Sequence, residues 1–208
     1  MGVTDRYRTV ADMPKELPLF PLRGAILLPR ASLTLNVFEP RYLALVDHAL
    51  ADDRLIGVVQ PAPEAGNAES PAGKIFPIRR VGCAGRISSF SESDDGRVVI
   101  SLAGIARFRV AQDVERKTPF RIAQVDFSPY AKDFVMGHGE DDVDRPHLIA
   151  TLRSYLVANN LNADWDRINN ASTERLVNSL SILSPYGPEE KQALLEAPDL
   201  RARAEALI

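Results

Sequence analysis

A lysine serves as the base for a serine nucleophile only where burial strips it of its preference for the charged form. The chain has five lysines, Lys15, Lys74, Lys117, Lys132 and Lys191, and each stands in a polar stretch that predicts a solvated ammonium. No GxSxG elbow and no HExxH sequence is present, so neither a strained serine turn nor a two-histidine zinc face is available. A phosphate cradle of the P-loop type needs a glycine, four residues, then Gly-Lys-Ser/Thr. Lys74 is the one lysine that follows a glycine, and it has Ile75 after it and Ala68 where the first glycine belongs. Hydrolysis of ATP or of peptides by these residues is therefore not expected, no cofactor or metal is implied, and catalytic residues are assigned to none.

The remaining reactive side chains read as structural. Glu140, Asp141, Asp142 and Asp144, with His138 nearby, lack the alternating oxygen ligands, sixth-place glycine and later bidentate glutamate of a calcium loop, so they predict a solvated linker. Cys83 lies between Gly82 and Gly85 in a strand-like run and predicts a small buried hydrophobe, since no basic neighbour to hold a thiolate is evident. Trp165 is expected to seal a helix junction, with surface recognition as the alternative. Arg107 and Arg109 share one face of a strand whose other face carries Ala106, Phe108 and Val110, which predicts ion pairing at the sheet surface rather than phosphate recognition.

The elements around these residues change character along the chain. From Leu17 to about Phe127 the pattern is short and β-like, and from about Arg145 it is helical. Leu33, Leu35 and Val37 alternate with Thr34, Asn36 and Phe38, a pleated strand with one core face. Pro40 suits the first position of a helix, along which Leu43, Val46 and Leu50 form a stripe up to Asp52-Asp53. Leu55 to Val59 predicts a strand, and Gln60 to Gly73 an exposed loop. Strands over Ile78–Ser91 and Arg97–Val110 are joined by Ser93-Asp94-Asp95-Gly96, an Asp-Gly hairpin turn. Gly82, Gly85 and Gly104 predict bulges or bends that curl the sheet, and Phe120–Phe127 a last strand. Helices are expected over Pro146–Asn160 with Leu148, Leu152, Tyr155 and Leu156 on one face, after the Ser172 cap with Leu176, Val177, Leu180 and Leu183, from Pro188, and after Asp199. The domain reading is an extension at 1–16, a β-rich part at 17–127, a linker at 128–144 and a helical part at 145–208.

A length of 208 residues, with 45% hydrophobic and 25% charged residues, is that of an ordinary globular protein; folding should bury about 70% of the extended chain's surface. One cysteine gives no internal disulfide. The charged opening MGVTDRYRTVADMPKE lacks a signal-peptide core and no apolar run approaches a membrane span, so the expected setting is the cytoplasm, without membrane attachment. A net charge of −3 with neither sign concentrated argues against a nucleic-acid coat.

LPLFPLRGAILLP at 17–29 followed by LTLNVFEPRYLALVDHAL at 33–50 closely resembles the opening of the Lon protease N-terminal domain family. GCAGRISSF at 82–90 and SLAGIARFRV at 101–110 resemble its next two blocks in order, and the tail at 176–207 is similar to the helical part of stand-alone bacterial members. The resemblance implies an α+β fold: a curled, mostly antiparallel β-sheet of the PUA-like pseudo-barrel type carrying one helix, then a C-terminal helical bundle. It implies a non-catalytic module that grips unfolded or damaged polypeptides, adaptor-like or chaperone-like, alone, as a homo-oligomer or with a protease or chaperone machine, the chain stopping short of the ATPase and protease parts. Alternatives are an RNA-binding PUA-like module and a cryptic peptidase. Phe38-Glu39-Pro40-Arg41-Tyr42 has an architectural reading, a helix start with Glu39 and Arg41 satisfying polar groups, and a functional one, a peptide groove anchored by Arg and Tyr. The polypeptide-contact candidates are Phe38, Glu39, Arg41, Tyr42 and Tyr186.

Overall fold

The computed structural model describes residues 6–63, 76–94 and 96–207. Strands β1 (Glu16–Pro21), β2 (Ser32–Val37), β3 (Leu55–Pro61), β4 (Ile78–Glu92), β5 (Val98–Val114) and β6 (Arg121–Asp126) form one sheet in the order β2-β5-β4-β3-β1-β6. The first half of β5 pairs with β2 and the second half with β6, so the sheet closes on itself and β2 is left as an appended strand. Neighbours are antiparallel except β1 and β3, which run parallel with Leu19 opposite Gly57. The α+β class and the curled, mostly antiparallel sheet are those expected.

Closure needs close backbone approach. Arg30 N–H donates to the Gly104 carbonyl at 3.0 Å and Gly104 N–H to that of Ala31 at 2.9 Å; a Cβ on Gly104 would stand 2.0 Å from the Leu28 oxygen. Gly104 therefore lets the 28–31 segment lie against the strand, and bulges near Ala84/Gly85 and Ile87/Ser89 bend its neighbour. At the β4–β5 turn Ser93 N–H reaches the Arg97 carbonyl at 2.9 Å, a hairpin at the expected place; Gly96 has the expected positive φ, +76°, and Asp95 lies outside the described residues. Both faces of the sheet are covered. Leu17, Leu19 and Phe108 belong to one apolar cluster, while Phe20, Ile56, Val58 and Cys83 belong to the other, which the helices complete with Ile182, Leu194 and Leu195.

Helices follow the predicted caps, with differences in which face is buried. Helix α1 (Pro40–Ala51) buries Tyr42, Leu45, Val46 and Ala49, so the core stripe lies to one side of the Leu43–Val46–Leu50 expectation. Helix α2 (Arg145–Ala158) is capped by Asp144 but buries Leu148 alone, leaving Tyr155 and Val157 exposed. A short helix α3 (Trp165–Asn170) lies in a stretch for which none was expected; Trp165, partly buried, has the Arg153 guanidinium over its ring at 4.4 Å. Helix α4 (Thr173–Leu183) is capped by Ser172 and buries Glu174, Val177, Asn178 and Ser181, whereas Leu183 is 78% exposed. Helices α5 (Pro188–Glu196) and α6 (Leu200–Glu205) complete the chain, α6 with the expected Asp199 cap.

Four local expectations are corrected. Gln60 is the penultimate residue of β3 and is buried, with its amide donating to the Pro188 carbonyl at 2.9 Å and its oxygen accepting from Gly24 N–H; most of the remainder of the expected loop, from residue 64, lies outside the described residues. Residues 128–142 include two 3-10 segments rather than only solvated chain. Asp133 there receives Arg107 Nη2 at 2.8 Å, and Arg107 Nε and backbone N–H at 2.9 Å. Arg107 is thus a buried anchor and not a surface group: its Nη1 also reaches the Leu195 and Ala197 carbonyls at 3.2 and 2.7 Å. Lys191, expected in solvent, is buried with Nζ 2.6 Å from the Ile182 carbonyl.

Truncating Arg107 to Ala strands Asp133 and two carbonyls inside the protein. Urea unfolding is expected to show a loss of about 3–5 kcal/mol, the range for a broken buried ion pair. Burial holds the Lys191 ammonium below the usual lysine range, so between its folded and unfolded pKa values the unfolded chain binds more protons. Stability from this group therefore rises with pH up to about 10.4. Unfolding measured from pH 7 to 10 is expected to contain that upward component in the wild-type chain and to lack it in Lys191→Met.

Candidate functional site

The first turn of α1 is organised by its own sequence. Pro40 occupies the first helical position and the Glu39 carbonyl accepts from Tyr42 and Leu43 N–H at 2.9 Å. The Glu39 carboxylate then takes Arg41 Nε and Nη2 at 3.0 and 2.7 Å. The Arg41 guanidinium lies 4.6 Å from the Tyr42 ring centre, and Tyr42 stacks on Phe20 of β1 with centroids 4.2 Å apart and planes at 15°. Ion pair, cation–π contact and ring stack thus run in series from surface to core. Burial pushes the Tyr42 phenol up from its usual range, with Arg41 opposing, so it stays neutral.

Beside this turn, β1 and the β5–β6 connection enclose a cleft of about 270 Å³. Its apolar surface comes from Leu19, Tyr42, Phe76, Val114, Phe120 and Ile122. Charges stand around it: Arg41 bonded to Glu39, Arg121 paired with Asp113 at 2.5 Å, and Arg116 paired with Glu16 at 2.5 Å. Thr118, the hydroxyl in the lining other than that of Tyr42, donates to the Phe120 carbonyl at 2.7 Å. No serine, cysteine, histidine or lysine lines the cleft among the described residues; its hydroxyls are those of Thr118 and Tyr42, and its carboxylates those of Asp113, held by Arg121, and Glu115. The volume lies just below the range of about 300–1,000 Å³ typical of small-molecule pockets and suits one or two apolar side chains.

Of the sequence candidates, Arg41 and Tyr42 line the cleft and Glu39 holds Arg41. Phe38, 66% exposed, and Tyr186, whose hydroxyl lies 3.5 Å from the Leu207 carbonyl, are not part of its lining. Sequence reading missed Val114 and Phe120, which meet through the pairing of β5 and β1 with β6, and Phe76, whose carbonyl accepts from Arg121 Nη1 at 2.7 Å. The available signal was Val114 set among the charged residues Asp113, Glu115, Arg116 and Lys117, closing on Thr118-Pro119-Phe120, an apolar residue after a polar turn.

The model of the ATP-dependent protease La (LON) substrate-binding domain matches residues 16–208. The chain belongs to this LON family. A Lon protease from Syntrophus aciditrophicus is 26% identical over 210 residues, covering 93% of this chain and 24% of that protein. Lon protease 2 of Myxococcus xanthus is 31% identical over 115 residues, 55% of this chain and 13% of that one. The chain thus spans about a quarter or less of the curated LON relatives it matches. A crystal structure of a Lon N-terminal domain protein from Xanthomonas campestris aligns with TM-score 0.63 at 25% identity, covering 93% of this chain and 97% of that one. The N-terminal domain of Mycobacterium avium complex Lon protease aligns with TM-score 0.63 at 17% identity over 93% and 96%, a likeness of fold. The match is to the substrate-binding part of LON and not to its ATPase or protease parts.

The site's chain of contacts separates architecture from recognition. Tyr42→Ala removes a buried ring from the core and is expected to cost about 3–5 kcal/mol. Glu39→Gln breaks a partly exposed ion pair and is expected to cost no more than about 1 kcal/mol. Chemical denaturation of the two variants checks this difference.

Proposed function

We propose that this chain is a non-catalytic polypeptide-binding module, and that it holds apolar side chains of unfolded client proteins in the cleft between α1 and the β5–β6 connection. The observation that supports this most is the cleft's composition: apolar walls, charges at the rim, and no serine, cysteine, histidine or lysine among its described lining residues. An unfolded chain differs from a folded one by exposed apolar side chains and unpaired backbone. A cleft for one or two such side chains reads that difference without reading a particular sequence. The family's description as a substrate-binding domain agrees in kind. One small site that must order a flexible partner binds weakly, so we propose that a larger machine or self-association supplies the avidity.

Fluorescence anisotropy with reduced, carboxymethylated α-lactalbumin tests the reading against the native, disulfide-bonded form. The unfolded form is expected to bind and the native form not to. Phe76→Ala, at a partly buried wall residue, is expected to weaken binding about fivefold, the loss of about 1 kcal/mol of apolar contact. Equal binding of both forms, or an unaltered Phe76→Ala affinity, contradicts the assignment. Casein cleavage and ATP turnover are both expected to be zero; turnover abolished by a point change in this chain contradicts the non-catalytic reading.

A further inference from the structure

Strand β2 pairs with β5 on one side and with no other strand among the described residues. The bond from Gly104 N–H to the Ala31 carbonyl sets the phase of the ladder, because it flanks the Ser32/Ala103 pair. Leu33, Leu35 and Val37 therefore exchange hydrogen bonds with Leu102, Ile100 and Val98. The N–H and C=O groups of Ser32, Thr34 and Asn36 consequently point away from β5, along an open edge.

Natural edges are guarded by charge, proline or a bulge. The outer stretch of β4 is guarded in this way, with a register break between Ile87 and Ser89 and Glu92 at its end. Strand β2, SLTLNV, has none of these devices: its register with β5 is unbroken over six residues and it carries no charge and no proline. At its start the edge runs into a groove of about 110 Å³ between Ala31–Ser32 and helix α4, walled by Ser179, Ile182 and Leu183. Leu183 is 78% exposed there. Of the two arginines in that lining, Arg30 is paired with Glu174 at 2.6 Å, while Arg175 has no acidic partner among the described residues.

We propose that this edge is a second polypeptide site, which takes an extended segment as a seventh strand by backbone pairing with Ser32, Thr34 and Asn36. The phase dictates what the segment must be. Residues opposite Leu33 and Leu35 share the face on which those leucines pack into the core cluster, so every second residue of the segment is apolar and extends that face toward Ile182 and Leu183. The alternate residues share the outer face with Thr34 and Asn36 and are polar. At the α4 end the uncompensated Arg175 favours an acidic side chain. The partner is thus a strand-forming stretch of another polypeptide, with an acidic residue at one end. The inference rests on the polypeptide-binding reading for the class of partner only; the surface is separate from the cleft.

The test uses a fluorescein-labelled octapeptide of alternating valine and threonine ending in glutamate. Thr34→Pro removes an N–H that the fold does not use, and proline is tolerated where a strand's N–H faces solvent; its thermal unfolding is measured alongside. Thr34→Pro is expected to weaken peptide binding about fivefold, the effect of a lost hydrogen bond. Leu183→Asp, at an exposed position, is expected to weaken it as well, and Phe76→Ala to leave it unchanged. Methylation of alternate peptide amides is expected to abolish binding in one phase and preserve it in the other. Unchanged affinity in Thr34→Pro and Leu183→Asp, or equal effects of both methylation phases, overturns the proposal; weakening by Phe76→Ala alone overturns it while leaving the cleft reading intact. A wild-type dimer in light scattering that dissociates in Thr34→Pro without peptide also overturns it, by assigning the edge to a second copy.

Discussion

The guanidinium of Arg107 is the contact on which the arrangement of the whole chain depends. It sits on β5, takes both oxygens of Asp133, and donates to the carbonyls of Leu195 and Ala197 at the end of α5. A buried charge is tolerated only when its donors are satisfied, and here the partners come from the sheet, the 3-10 segment after β6 and the helical part. Moving any one of the three would leave charge or carbonyl unpaired in the interior. The Tyr130 ring, 4.6 Å from the same guanidinium, covers it from the remaining side.

A second pin repeats the logic nearby. Arg30, held at φ +58°, donates to Glu174 at 2.6 Å and to the Asp133 carbonyl at 2.8 Å. Glu174 also accepts from Gly137 N–H, and its own N–H donates to Glu140. Asn178 reaches the Pro29 carbonyl and receives Arg203. The buried face of α4 is therefore polar along much of its length, and its position on the sheet is set by directional bonds as much as by apolar contact. Directional bonds fix a single geometry where an apolar face alone would allow sliding. That specificity matters for α4, since its outer side walls the groove beside β2.

What sequence could show of this follows from the range of each interaction. Strand alternation in β2, the Pro40 helix start, the Ser172 and Asp199 caps and the positive φ of Gly96 are settled within about four residues, and all were legible. Strand β1 was not outlined, because it is covered on both faces and so reads as an unpatterned apolar run. Arg107 and Lys191 look like surface residues in their local setting. Their partners stand 26 residues away at Asp133, 88 and 90 away at Leu195 and Ala197, and 9 away across the α4–α5 connection at Ile182. Tyr42 was legible as a candidate but not as a core residue, since its stacking partner Phe20 belongs to β1. The cleft was legible only at Arg41 and Tyr42, because its other walls converge through pairing of β6.

The division of β5 between two partners explains why the cleft and the open edge lie along opposite halves of that strand. Where the strand passes Gly104 it gives up β2 and takes β6; closure through β6 creates the cleft, and the strand released from closure keeps an open edge. Several buried polar groups lie between these surfaces and are engaged there. Cys83 is wholly buried, its thiol pushed up by burial and so held protonated. Lys191 faces a carbonyl, and Asp133 and Glu174 face arginines. A group already bound to the fold cannot move a proton at a distant surface without breaking what holds the helices in place. A protein built in this way can offer shape, apolar area and backbone hydrogen bonds to a partner, and those are the terms in which an unfolded chain is recognised.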